Sequence, residues 1–236
     1  MKKRVIYALV AVLVAGLLFG ILYHFDKKEK STDAYKFKQE YEILNGKKND
    51  YGKTYRTLNI SKTNRIKYST AKEIVEKMDN GESFIVYFGF AKCPWCRSMI
   101  ENLLDLADKN NTDIYYVDVL EIRDVKEVKD GEIIESKAGD KYYLKLLTKM
   151  KNVLDNYELQ DETGKKYDTD EKRIYAPNVI AVLNGTAEKK VEGISSDLKD
   201  PYGEITDKMK KESIGQLKCI FKCMEEAGVC TKPSSC

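Results

Sequence analysis

The sequence predicts an α/β domain, a mixed central sheet flanked by helices, and three observations carry that expectation. An unbroken apolar run over 84–90 leads through Cys93-Pro94-Trp95-Cys96 into a helical pattern whose apolar side is Met99, Ile100, Leu103, Leu104 and Leu106. A second apolar run, 114–119, is reached through that helix and is therefore expected to lie parallel to the first. A third, 178–183, ends in Asn184-Gly185, a two-residue hairpin signal, before a further strand over 188–192. Around this domain the sequence places an N-terminal transmembrane helix, a central insertion and a cysteine-rich C-terminal tail.

The start of the chain reads as a signal anchor, residues 1–25. Lys2, Lys3 and Arg4 precede an apolar run over 5–25, and about twenty such residues span a hydrocarbon core. A cleaved leader, the alternative, has a shorter apolar region and a small-x-small site after it. The basic cluster is expected to stay cytoplasmic, making this a single-pass cell-membrane protein whose domain is extracytoplasmic. Six cysteines suit an exterior where disulfides persist. Residues 26–62 are polar and dotted with tyrosine. They read as a tether with one docking helix, capped by Asp33, carrying Tyr35, Phe37, Tyr41 and Leu44, and stopped by Asn45-Gly46. Its tyrosines are expected to pack or to face solvent.

The domain proper is expected over 63–218. Thr70 and Glu73 form a capping box for a helix with Ile74, Val75 and Met78, stopped by Asp79-Asn80-Gly81. The run 84–90 lacks polar alternation, as a strand covered on both faces should. An insertion over about 120–175 carries turn signals at Asp130-Gly131 and Thr163-Gly164, with a helical stripe of Tyr143, Leu147, Met150 and Leu154 between them. A last helix is expected from about Tyr202.

Composition excludes several kinds of chemistry. Charged residues are 33% and the net charge is +3, so no broad basic surface argues for nucleic acid. The one histidine, His24, lies in the N-terminal apolar run, which leaves no histidine-dependent hydrolysis and no histidine-ligated metal in the rest of the chain.

Cysteine chemistry survives this filter. Cys93 falls at a helix N-terminus, where unpaired N–H groups and the helix dipole favour an anion, and Lys92 adds a neighbouring charge. If such a site lowers a thiol pKa from about 8.5 to about 6.5, the thiolate fraction at neutral pH rises from a few per cent to roughly three quarters. Cys96, one turn further in, is placed to resolve a mixed disulfide, and Pro94 fits the first turn, where its missing N–H costs nothing. The candidate catalytic pair is therefore Cys93 and Cys96, with Lys92 and Pro94 tuning it and no cofactor beyond the redox-active disulfide that the pair forms. A static disulfide or a zinc half-site is the alternative.

This order of elements, with CPWC after a buried strand and Ala176-Pro177 before the hairpin, resembles the thioredoxin superfamily over roughly 66–219. The resemblance implies that Pro177 is in cis and faces the two cysteines, and that Ala176, beside Trp95, presents backbone to an extended substrate. The phrases YFGFAKCPWCRSMI and EKRIYAPNVIAVLNG look like membrane-anchored, outward-facing thioredoxin-like proteins of Gram-positive bacteria, including bacteriocin transport accessory proteins. Implied partners are protein or peptide thiols and disulfides and a redox partner in the membrane. Thioredoxins carry a buried acid six residues before the first active cysteine; here that position is Tyr87. They also have tryptophan before that cysteine and Gly-Pro inside the motif, against Lys92 and Pro94-Trp95 here. Cys-Pro-x-Cys is more similar to glutaredoxins and bacterial disulfide-forming proteins. The motif alone does not set the direction of electron flow.

The tail, 219–236, holds Cys219, Cys223, Cys230 and Cys236. Four cysteines allow three pairings; nested structural disulfides Cys223–Cys230 and Cys219–Cys236 are expected, with a second redox relay or a thiolate zinc site as rivals. Three functions compete: a tethered thiol-disulfide oxidoreductase, a non-catalytic binding or export accessory protein, and a zinc protein.

Overall fold

The structure, a computed structural model, describes residues 29–225. The expected anchor over 1–25 lies outside them, as do Cys230 and Cys236. Among the described residues no helix is long and apolar enough to cross a membrane.

In chain order the elements are α1 (Asp33–Glu42), β1 (Ile66–Tyr68), α2 (Ala71–Asp79), β2 (Phe84–Gly89), α3 (Pro94–Lys109), β3 (Ile114–Asp118), β4 (Val125–Lys129), β5 (Glu132–Lys137), α4 (Lys141–Lys149), β6 (Asp155–Gln160), β7 (Lys166–Arg173), β8 (Asn178–Leu183), β9 (Thr186–Val191) and α5 (Asp207–Glu225). Five strands form one mixed sheet, β1-β3-β2-β8-β9. β1, β3 and β2 run parallel, and β8 and β9 are antiparallel additions.

β2 is central because both of its faces are covered: every one of its residues is buried. Alternation sends Ile85 and Tyr87 into the cluster shared with α1, α3 and α5, while Phe84, Val86 and Phe88 join the cluster of α2 and α4. The capping box of α2 forms as expected, Glu73 N donating to Thr70 Oγ1 at 3.2 Å and Thr70 N donating to Glu73 Oε2 at 2.7 Å. At the Asn184-Gly185 hairpin, a Cβ on Gly185 would lie 2.1 Å from the Met78 carbonyl, so only glycine lets this turn close over the end of α2.

The segment expected as a tether is, from α1 onward, part of the core. Phe37 and Tyr41 are fully buried, and Tyr55, Leu58 and Ile60 join them. Thr32, not Asp33, caps α1. The Asp33 carboxylate instead accepts from Tyr68 N at 3.1 Å and ties the helix to β1, a three-residue strand too short to signal itself in the sequence. Arg97, on the helix that follows CPWC and only 1% exposed, donates to Tyr41 O at 2.8 Å, Asn45 Oδ1 at 2.7 Å and Arg56 O at 3.1 Å. This one guanidinium satisfies acceptors at three places along the segment and pins it to α3.

The insertion holds the two expected hairpins, β4–β5 and β6–β7, outside the main sheet. Between them α4 buries Tyr143 and Leu146, while Leu147, expected in the stripe, is only partly covered. Asp124 and Arg173 form a buried ion pair beneath the hairpins, and the guanidinium lies 4.1 Å from the Tyr157 ring centroid. The last helix begins at Asp207 rather than near Tyr202, because turns closed by Leu198 N to Ser195 O and Gly203 N to Asp200 O occupy the preceding stretch.

Candidate active site

Cys93 is the N-cap of α3, with extended backbone (φ −73°, ψ 115°) and Pro94 in the first turn. Its Sγ accepts from Cys96 N at 3.2 Å, filling one of the helix's open donors as a serine or aspartate cap does. From the other side of the sheet's end, the β7–β8 connection arrives with a cis Ala176–Pro177 bond. Ala176 O lies 3.3 Å from Cys93 Sγ and accepts from the thiol. Asn178, fully buried, holds this connection in shape: its Oδ1 accepts from Tyr175 N at 3.0 Å and its Nδ2 donates to Pro177 O at 2.9 Å. Residues far apart in sequence, 93–96 and 176–177, are thus brought together.

The two thiols are unequal, and both are free. Cys93 is held below the ordinary thiol range, first by a hydrogen bond from the Cys96 thiol, which outweighs the opposing cost of burial; the backbone N–H groups of Cys96 and Trp95 and the charge of Arg123 add to the effect. Cys96 is pushed well above that range, first by burial and then by its neighbour Cys93. Arg123, whose guanidinium sits 5.1 Å from the Phe90 ring centroid, adds a smaller lowering effect on Cys93; Lys92 is exposed. Cys93 is itself enclosed, at 4% exposure against 0% for Cys96. The Ala176 carbonyl over the sulfur accounts for part of that cover. Beside it, half-buried Trp95 lines a cleft of about 1050 Å³ with Tyr175, Ala176 and Pro177, which extends along β9 to α5 and reaches Cys219.

The resemblance put Tyr87 at the position of the buried acid of thioredoxins; it did not indicate which side chains would gather around it. Tyr87, fully buried on β2, packs in the same core cluster as Cys96, and its hydroxyl works against the rise in the Cys96 pKa. Its hydroxyl also lies 2.9 Å from that of Tyr41 on α1. Gly89 makes room for this phenol, since a Cβ there would stand 2.2 Å from the Tyr87 oxygen. The Tyr116 ring stacks on Tyr87 with centroids 5.4 Å apart. Tyr116 donates to Glu40 at 2.9 Å, and Tyr68 donates to the other oxygen of the same carboxylate. Burial raises the Glu40 pKa. For the partners of Tyr87 the sequence signal is the Phe37/Tyr41 spacing on α1, which marks a buried face but not its destination.

In the tail, Cys219 and Cys223 are buried on α5, and Cys223 is disulfide-bonded. The expected pairings with Cys230 and Cys236 fall outside the described residues. Among the described residues no group of three or more His, Cys, Asp or Glu side chains is gathered as a metal-ion set. Compared with known proteins, the chain matches no family model and no curated protein.

Proposed function

We propose that this chain is a thioredoxin-like thiol-disulfide oxidoreductase, held at the outer face of the cell membrane by residues 1–25, with Cys93 as nucleophile and Cys96 as resolving cysteine. The observation that carries the reading is the unequal pair: a helix-capping thiol depressed in pKa, facing a cis-proline connection, with a fully buried, pKa-raised thiol one turn behind it. Cys93 thiolate attacks one sulfur of a client disulfide, forming a mixed disulfide and releasing the first client thiolate. Cys96 then loses its proton and attacks Cys93 Sγ; the second client sulfur leaves and takes up a proton. Two electrons pass to the client, and the protein is left with a Cys93–Cys96 disulfide. The reverse sequence oxidises a client dithiol. Trp95, Ala176 and Pro177 offer the client a ring face and extended backbone along the cleft. Protein or peptide thiols are the clients, and a redox partner in the membrane resets the pair.

A binding protein of the same fold that does not turn over is the second reading, and the 4% exposure of Cys93 is the observation that favours it. The two separate in one assay. Dithiothreitol-dependent reduction of insulin is expected from the wild type and is lost in Cys93→Ser; equal activity in both contradicts the oxidoreductase reading. A reduced wild type that is inactive, and whose Cys93 resists iodoacetamide, selects the binding protein.

A further inference from the structure

Resting on the oxidoreductase reading, we propose that Tyr87 is a catalytic residue of the resolving step, donating a hydrogen bond to the Cys96 thiolate as it forms, and that Tyr41 positions it from α1. Cys96 has to give up its proton inside a fully buried pocket, where a bare thiolate is penalised by desolvation. Among the residues of β2 there is no carboxylate; the strand instead contributes Tyr87 to the buried cluster that holds Cys96, with the Tyr41 hydroxyl 2.9 Å from that of Tyr87. The chain of donors has one self-consistent direction when Cys96 is ionised: Tyr41 donates to Tyr87, and Tyr87 donates to sulfur. Neither phenol acts as a base, because burial holds both well above the ordinary tyrosine pKa. The Cys96 proton therefore passes to the departing client thiolate, while the new S–S bond forms between Cys96 and Cys93 and the Cys93–client bond breaks. The client disulfide is the oxidant, and the protein dithiol is the reductant.

Three further observations point the same way. The missing side chain at Gly89 leaves the space that the Tyr87 hydroxyl occupies. Tyr116 stacks on the Tyr87 ring and fixes its plane. Arg97 holds the Tyr41 carbonyl, so the helix carrying Tyr41 is anchored to the helix carrying Cys96.

The test loads Cys93 of the full chain with 2-nitro-5-thiobenzoate and follows the coloured thiol as Cys96 displaces it, across pH, with Cys96→Ser as the blank. Tyr87→Phe is expected to load Cys93 at the wild-type rate but to release the reporter about tenfold more slowly at neutral pH or worse, the loss of a hydrogen bond to a charged acceptor. The midpoint of its pH–rate profile is expected to move upward. Tyr41→Phe is expected to do the same to a smaller extent. Wild-type release and an unshifted profile in Tyr87→Phe overturn the inference while leaving the oxidoreductase reading intact. Should Tyr87→Phe fail to fold, Tyr41→Phe decides, and wild-type release in that variant overturns the inference. Failure of the wild type to load at Cys93 overturns the oxidoreductase reading, and this inference with it.

Discussion

β2 and the β4–β5 hairpin sit at opposite extremes of the same molecule. Every residue of β2 is buried, whereas β5 exposes all but one of its residues. The two are held by different means. β2 is fixed by contacts that arrive from far along the chain, such as Tyr87 to Tyr41 and, just beyond its end, Cys93 to Ala176. The hairpins are fixed by tight turns, with Asp130 and Gly131 both at positive φ, and by one buried ion pair beneath them. A thiol held far from its ordinary pKa needs the first kind of surroundings, because only a site enclosed from several directions removes water and fixes each hydrogen-bond partner. The hairpins need only local agreement between turn and strand, which leaves their outer faces free to vary.

This contrast can be broken most forcefully at Arg97. Arg97→Leu strips the donor from Tyr41 O, Asn45 Oδ1 and Arg56 O together. A loss of about 4 kcal/mol is expected: Arg56 O is left unpaired, at roughly 1–3 kcal/mol, and Tyr41 O and Asn45 Oδ1, which keep Leu44 N and Leu58 N, each lose a hydrogen bond from a charged donor. It is read as a fall in the urea midpoint of the whole domain. In the insertion, Arg173→Met leaves the Asp124 carboxylate buried and alone, for an expected loss of about 3 kcal/mol. Adding Asp124→Leu should recover most of it. Hydrogen exchange should show the Arg173→Met loss concentrated in β4–β7, with alkylation of Cys93 unchanged; a loss spread evenly over β2 and β8 would erase the distinction between the regions.

A pH series on the reduced protein sharpens the comparison at the site itself. The depressed Cys93 contributes stability that is complete above its unfolded pKa, near 8.5, and disappears as pH falls through its folded value. The raised Cys96 works in the opposite sense: its contribution is complete below the unfolded value and is lost as pH rises. Stability should therefore climb toward about pH 8.5 and decline above it, and each tenfold difference in a thiol's acidity between the folded and unfolded chain contributes about 1.4 kcal/mol. Cys93→Ser should remove the climb, and Cys96→Ser the decline. The smallest effect is expected on the hairpin surface, where Ile133→Lys, at a residue 39% exposed, should stay within about 0.5 kcal/mol in the same denaturation assay.

What could be read from the residues follows the same division. The capping box at Thr70, the run that became β2, the three hairpin turns and the Cys93-Pro94 helix start are local patterns, and each is present in the structure. The juxtaposition of Cys93 with the cis Ala176–Pro177 bond came from a resemblance and not from spacing, since no local rule links residues so distant in the chain. The function of α1 was illegible for a physical reason. A polar, tyrosine-bearing helix reads as tether or surface until the sheet that accepts Phe37 and Tyr41 is known, and only the fold brings Tyr41 to Tyr87. Likewise no local pattern marks Arg123, a cation that acts on Cys93 from the segment after β3.

Equilibrating the full chain across a series of thiol-disulfide buffers, then alkylating it and mapping its disulfides by mass spectrometry, tests most directly whether Cys93 and Cys96 work as a pair. One two-electron transition is expected, in which a Cys93–Cys96 disulfide appears with a midpoint between about −270 and −120 mV. A dithiol that persists at every poise in that range, or a disulfide that joins either cysteine to the tail instead, would contradict the pairing.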